Sequence, residues 1–488
     1  MFTRREALLP AAAALYAAPS DELCFRSAIE LAQLIKTKKL SARENLAAHL
    51  KQIERVNPKL NAIVTLAIDQ AQQAAKLADE QQAKGKPLGA LHGLPIAHKD
   101  LVNTKGIRTT FGSPILKDNI PTANDLIIDR LQAAGAITIG KTNTPEFGAG
   151  SQTFNTVFGA TLNPYDTTKT CGGSSGGAAT ALASGMIPIA DGSDMGGSLR
   201  NPASFCNIVG FRPSIGRVPA KGALFPWFTL STSGPMARSV ADLALLLSAI
   251  SGPDSKVPNS LPEPGSTFRQ PLTKAFKGTR IAWFKDLNGN PFDPRTLAVI
   301  SAQRKVFETL GCIVEEAEPD FTGADFAFKT LRAWNSAANH GERIRTHRAA
   351  YKDTLLKEVE DGLRLTGSDI AKAEQLHGQV WQRFQTFLDK YDYFILPTTQ
   401  LPAFDVKSPY PTAINGVKFD NYIDWMRSCW FISITGNPAI SVPAGFTPEG
   451  LPVGIQIVGR HNSDFSVLQI AHAYEQATNI ARRRPTLA

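Results

Sequence analysis

Cys171 to Arg200 reads CGGSSGGAATALASGMIPIADGSDMGGSLR, and two knots of glycine and serine punctuate it. The first is Gly172-Gly173-Ser174-Ser175-Gly176-Gly177; the second is Gly196-Gly197-Ser198. Between them, Ala178 to Ser184 is small and helix-compatible, and Met186 to Ala190 is an apolar run. The pattern predicts loop, helix, strand, loop. Glycine inside regular structure costs about 0.5–1 kcal/mol against alanine. Two glycine pairs around hydroxyls therefore point to strained backbone, or to amide N–H groups brought close to a ligand, and not to core filling.

Three chemistries compete for this stretch. Gly172-Gly173-Ser174-Ser175-Gly176 matches the G-x-S-x-G nucleophile elbow, which needs a downstream acid and then a histidine. His340, His347, His377, His461 and His472 are available by position, but none sits in a marked context. A phosphate cradle would need G-x-x-x-x-G-K-[ST], which this stretch lacks. The third reading makes Ser198 the nucleophile, with Met195, Gly196 and Gly197 offering N–H groups to an oxyanion. Its base must then come from elsewhere in the chain.

Lys99 supplies it. Gly93-Leu94-Pro95-Ile96-Ala97-His98-Lys99-Asp100 reads as a short apolar strand ending in a lysine. Burial disfavours the ammonium form, so a lysine at the end of such a strand can lose its charge. A neutral amine is a competent general base near neutral pH. His98 should point away from Lys99 on a strand, and no role is assigned to it.

With these motifs side by side, the chain resembles the amidase-signature hydrolases. They carry G-x-P-x-x-x-K-D, GGSSGG and G-S-D-x-G-G-S-x-R, here Gly93 to Asp100, Gly172 to Gly177 and Gly192 to Arg200. The two serines lie 24 residues apart (198 − 174), as expected for the family. The resemblance runs from about Ser27 to Arg484. It implies an α/β fold: one domain with a central mixed, largely parallel β-sheet covered by helices on both faces. It also implies Ser174 as a proton relay between Ser198 and Lys99, on a cis Gly173–Ser174 peptide. By the same resemblance Gly148 contacts substrate through its backbone, Ser198 adds its own N–H to the oxyanion donors, and Ser175, Asp194 and Arg200 support the site.

The rest of the chain agrees with an α/β enzyme. At 488 residues and 43% apolar content it can bury a large core. Alternating apolar strands and helical segments argue for a buried, largely parallel sheet. Ser27-Ala28-Ile29-Glu30 and Ser41-Ala42-Arg43-Glu44 are capping boxes, the second opening a helix expected to end at Val56 before Pro58. Residues 322–388 are helical and charged and are expected to cover the site within a domain of residues 21–488. Leu224-Phe225-Pro226-Trp227-Phe228 is an aromatic loop suited either to an apolar pocket or to ordinary core.

Several classes are set aside. Gly135-Ala136-Ile137-Thr138-Ile139-Gly140-Lys141-Thr142 matches the Walker A pattern, but its first glycine ends a helix and the following residues read as strand. The net charge of +9 is spread along the chain without a basic stripe, which argues against nucleic-acid binding. Five unpaired cysteines give neither a disulfide framework nor a zinc site, and no metal or cofactor is expected. The first 20 residues resemble a short twin-arginine leader, too short to span a membrane, or else form a tail. The protein is thus expected in the cytoplasm, or in the periplasm if the leader is used.

The expected activity is hydrolysis of an apolar or aryl amide, with esters and carbamates as side substrates, by a monomer or homodimer acting on a small molecule. The alternatives are the glutaminase (A) component of glutamyl-tRNA amidotransferase, or an α/β-hydrolase-type esterase. Against the former, Phe154-Asn155-Thr156 stands where those components are expected to carry Glu-Asn-Ser.

Overall fold

A computed structural model describes residues 20–221 and 224–486. The leader reading of residues 1–20 falls, but for its last residue, outside the described residues. Among the described residues, eleven strands form one sheet. In chain order they are β1 (Ile63–Leu66), β2 (Pro95–Lys99), β3 (Ile137–Thr142), β4 (Ile189–Asp194), β5 (Val209–Arg212), β6 (Thr232–Ala237), β7 (Arg280–Trp283), β8 (Ile313–Glu316), β9 (Tyr393–Pro397), β10 (Ala439–Phe446) and β11 (Pro452–Gly459). Their spatial order is β1-β3-β2-β4-β6-β5-β10-β11-β9-β7-β8.

The sheet is mixed, as expected, and its parallel character is regional. β3, β2 and β4 run parallel on one side, and β9, β7 and β8 on the other. Between them every pairing is antiparallel. The physical reason lies in the connections. Parallel neighbours are joined through helical crossovers, whereas β10 and β11 form a hairpin closed by the short turn at 447–451.

Side chains alternate between two cores, one on each face. Ile96 and Ile189 enter the core that also holds Leu243, Leu247 and Leu468. Their neighbours Ala97 and Ala190 enter the core built on Ala178, Ala179 and Leu182 of the helix Gly176–Ala183. Strand period therefore sends Lys99, two residues after Ala97, toward that helix.

Both capping boxes are closed, at Ser27 with Glu30 and at Ser41 with Glu44. The second helix does not stop at Val56. It runs through Pro58 to Leu60 and ends on Asn61 in the left-handed conformation. Pro58 lies in its last turn, where the side chain of Asn57 takes the amides of Ala62 and Ile63 and closes the end. β4 also runs further than the apolar run 186–190 suggested, carrying Asp191, Ser193 and Asp194 as strand residues. The Walker-like segment is strand β3, and Lys141 there is buried, donating to Thr104 Oγ1 at 2.9 Å and to the Val102 carbonyl.

Candidate active site

Three elements converge at the end of β2. β2 delivers Lys99; the N-terminus of the helix Gly176–Ala183 delivers Ser174 and Ser175; β4 delivers Ser193. Lys99 Nζ lies 2.7 Å from Ser174 Oγ, 2.9 Å from Ser175 Oγ and 3.1 Å from Ser193 Oγ. The amine is fully buried. Burial pushes its pKa down to about 7, against the opposing pull of Asp194 and Asp191. The Gly173–Ser174 peptide is cis.

The loop after β4 is held by a buried ion cluster. Arg200 reaches both oxygens of the Asp194 carboxylate, Nε to Oδ2 at 3.0 Å and Nη2 to Oδ1 at 2.8 Å. Gly197 and Leu199 donate their amides to the same carboxylate at 2.9 and 3.1 Å. Arg212 Nη1 lies 3.4 Å from Oδ1. Burial opposes the charge of Asp194, but the two guanidiniums and these amides hold its pKa well below the ordinary 3.8. Gly197 has φ +123°, and a Cβ there would sit 2.6 Å from Cys429 Cβ, so the position needs glycine.

This corrects one sequence expectation. The Gly197 N–H is committed to Asp194 and is not free for an oxyanion. The amides of Met195, Gly196 and Ser198 have no protein acceptor among the described residues. Ser198 accepts the Ser175 N–H on its carbonyl at 3.2 Å, and its side chain lines the same cavity as Ser174. Its hydroxyl makes no hydrogen bond to Ser174 among the described residues. Catalytic hydrogen bonds are often long in ligand-free geometry and close when substrate is bound.

The cavity over these serines measures about 170 Å³. Gly148 lines it beside Ser174, as do Leu101, Phe147, Met195 and Met426. Phe147 packs in a three-ring cluster with His340 and Tyr351, whose centroids lie 4.6 and 5.6 Å from its own and 5.7 Å from each other. The far wall comes from the helices Ala324–His347 and Asp353–Leu363. Arg332 Nη1 lies 2.6 Å from Glu358 Oε2 there, and Arg332 also donates to the Tyr422 hydroxyl. An adjoining cavity of about 450 Å³ shares Leu101, Met195, Ser231 and Asn335 with the first. Phe225 and Phe228 line it and pack on Trp334, so the aromatic loop is pocket lining at these two positions.

Ser193, Arg332, Glu358 and Tyr422 escaped the sequence reading, which held His340 only as one of five histidines downstream of the elbow. For the first helix a signal existed: Phe328, Arg332, Asn335, Ser336 and His340 fall on one helical face. Of the five histidines weighed as partners for Ser174, only His340 lines this cavity. Its Nδ1 lies 3.2 Å from the Tyr351 hydroxyl, and burial pushes its pKa down to about 4. The group in contact with Ser174 is Lys99. Among the described residues no cluster of three or more His, Cys, Asp or Glu is set to hold a metal, and no helix is long and apolar enough to cross a membrane.

Comparison with known proteins is consistent throughout. A family model described as Amidase matches residues 44–468. An acylamidase from Rhodococcus erythropolis is 35% identical over 468 residues, covering 95% of this chain and 98% of that protein. The A component of the glutamyl-tRNA(Gln) amidotransferase from Geobacillus kaustophilus is 36% identical over 488 residues, covering 94% and 99%. The solved structure of a bacterial aryl acylamidase of the amidase signature family superposes with a TM-score of 0.88 at 30% identity, covering 94% of this chain and 99% of that one.

Proposed function

The chain belongs to the amidase signature family of amide-hydrolysing enzymes, and on that premise we propose that it cleaves an apolar or aryl carboxylic amide through an ester on Ser198. Ser198 Oγ attacks the carbonyl carbon. Its proton passes to Ser174, and the Ser174 proton passes to Lys99 Nζ. The oxyanion is received by the amides of Met195, Gly196 and Ser198; one such donor is worth about 3–4 kcal/mol of barrier. Collapse returns the proton from Lys99 through Ser174 to the leaving nitrogen. Water then enters by the same relay and releases the acid.

The observation that carries this reading is the buried Lys99 amine 2.7 Å from Ser174 Oγ, with its pKa brought down to about 7. A neutral amine has two N–H donors and one lone pair. Its three hydroxyl neighbours fit that set: the neutral form can donate to Ser175 and Ser193 while its lone pair faces the Ser174 hydroxyl. The substrate class is supported by Phe225 and Phe228 in the cavity beside the site. Esters and carbamates present the same acyl carbon and fit as side substrates.

A second reading, glutamine hydrolysis within a larger complex, draws on the likeness to the Geobacillus protein. A hydrolysis panel of aryl amides, peptide amides, cyclic amides, carbamates and glutamine separates the two. A serine-directed phosphonate should modify the peptide containing Ser198; modification of Ser174 instead would favour the elbow chemistry. The pH profile is the other test. Lys99 acts when neutral, and its neutral fraction grows as pH rises through its pKa. The acylation rate should therefore climb from about pH 6 to a plateau above about pH 8, one unit to either side of that pKa. A rate flat from pH 5 to 9 would count against a lysine base.

A further inference from the structure

Beneath Lys99, on the opposite face of the sheet, lies a buried pair that the mechanism above leaves unused. His98 and Asp191 are both fully buried. His98 Nδ1 and Asp191 Oδ1 are 2.6 Å apart, and His98 Nε2 lies 2.9 Å from Thr138 Oγ1 on β3. The second Asp191 oxygen, Oδ2, accepts the main-chain N–H of Lys99 at 3.2 Å.

The strand register explains why a side chain is needed there. β2 and β4 pair at one position, Ile96 with Ile189. Three residues on, the Lys99 amide turns to a carboxylate of β4 in place of a β4 carbonyl. Asp191 thereby bridges the two strands beyond the one residue pair that joins them, at the point where the lysine side chain leaves for the serines. An unpaired carboxylate in this core would be costly, and the imidazole removes that cost with a charge-assisted hydrogen bond.

We propose that His98 and Asp191 are positioning residues for Lys99: the carboxylate fixes the lysine's main chain and sets a negative charge beneath its amine, and the imidazole fixes the carboxylate. The inference rests on the reading of Lys99 as the base. The charged surroundings are few. Lys99 meets Asp194, with Arg200 and Arg212 behind it, from the loop side, and Asp191 from below. Asp191 meets His98 directly and Lys141 through space; Lys141 also meets Asp100 and Asp125. Burial lowers the amine's pKa, and Asp194 and Asp191 are the charges that raise it. Removing one of them lets burial prevail further.

Asp191→Asn keeps an oxygen for the Lys99 N–H and removes the charge. The acid limb of kcat/KM should move to lower pH by about half a unit or more. A folded variant whose limb stays in place overturns the proposal, because a purely structural role lowers activity at every pH alike. If Asp191→Asn does not fold, His98→Leu and His98→Asn decide. His98→Leu should lower kcat about tenfold with KM little changed, since a small displacement of a reacting group is costly. His98→Asn, whose amide nitrogen stands where Nδ1 does, should restore kcat. Unchanged kcat in the leucine variant, or no rescue by asparagine, overturns it equally. The two readings fail differently. A wild-type enzyme without an acid limb sinks the lysine base itself; a limb that Asp191→Asn leaves in place sinks only the positioning role.

Discussion

Lys99→Met is expected to lower amide turnover by about 10³-fold or more in a protein that melts no lower than the wild type. Among the described residues no other base stands ready at Ser174. Ser175 and Ser193 touch the same amine but are hydroxyls, and His340, the histidine in the cavity, is turned to Tyr351. The fold should survive because the native amine is a burden to it. Lys99 is fully buried, and its pKa falls from the ordinary 10.5 to about 7 through desolvation, opposed by Asp194 and Asp191. Between those values the unfolded chain binds more protons than the folded one. Wild-type stability therefore rises with pH across about 7 to 10.5, and the methionine variant lacks that rise. Its advantage in melting temperature should be largest below pH 7 and shrink toward pH 10.5. Paired pH series of turnover and melting check both halves. Near-normal turnover would remove Lys99 from the chemistry; a variant that melts far below wild type at every pH would make the lysine structural.

The motif triplet made this core readable because each motif is local. The glycine knots fix backbone within six residues, and the lysine ends a single strand. What stayed hidden depends on contacts across long separations. Thr232–Ala237 carries Gly234 and Pro235 in succession, residue types depleted in strands, and the sequence reading assigned it no element. It is nevertheless β6, inside the sheet between β4 and β5. Gly234 is there because a Cβ would come within 2.4 Å of the Phe211 carbonyl oxygen, a neighbour that propensity does not see. Antiparallel pairing at the sheet centre was hidden for the same reason: an apolar run shows burial, not direction.

The site shows the same division. Ser174 and Ser198 announce themselves, but the hydrogen bond that takes Gly197 out of the donor set depends on where the Asp194 side chain turns. Alternation sends His98 away from Lys99, and the two cores on either face of the sheet agree with that direction. Its partner Asp191 lies 93 residues further along the chain, and its contact with the Lys99 backbone exists only once β2 and β4 are adjacent. Arg332 and Glu358 meet for a similar reason, through the packing of two helices that the sequence showed only as charged and helical.

Asp194→Asn is expected to cost about 3–5 kcal/mol of stability, the largest single effect on folding in this region. Asp194, Arg200 and Arg212 are all fully buried. Removing the carboxylate charge leaves two guanidiniums in the interior without their counter-ion. Arg200 keeps the Cys429 carbonyl and Ser433 Oγ at 2.8 and 2.7 Å, so part of its solvation survives. The loop fares worse. One asparagine oxygen cannot receive Gly197, Leu199 and the Arg200 fork together, and the nitrogen that replaces the other oxygen is a donor facing donors. Segment 195–199, whose Met195, Gly196 and Ser198 line the cavity, should loosen, so turnover should fall along with stability. The pH dependence carries the sign. The Asp194 carboxyl is held below its ordinary 3.8, with burial opposing and Arg200 and Arg212 prevailing. Its contribution is therefore complete above that value and is lost as pH falls below it. Urea unfolding of both proteins at pH 7 and at pH 3 to 4 should show the gap between them narrowing in acid. Equal midpoints at pH 7 would mean that the cluster does not hold this loop, and the amides of Met195, Gly196 and Ser198 would then need another anchor.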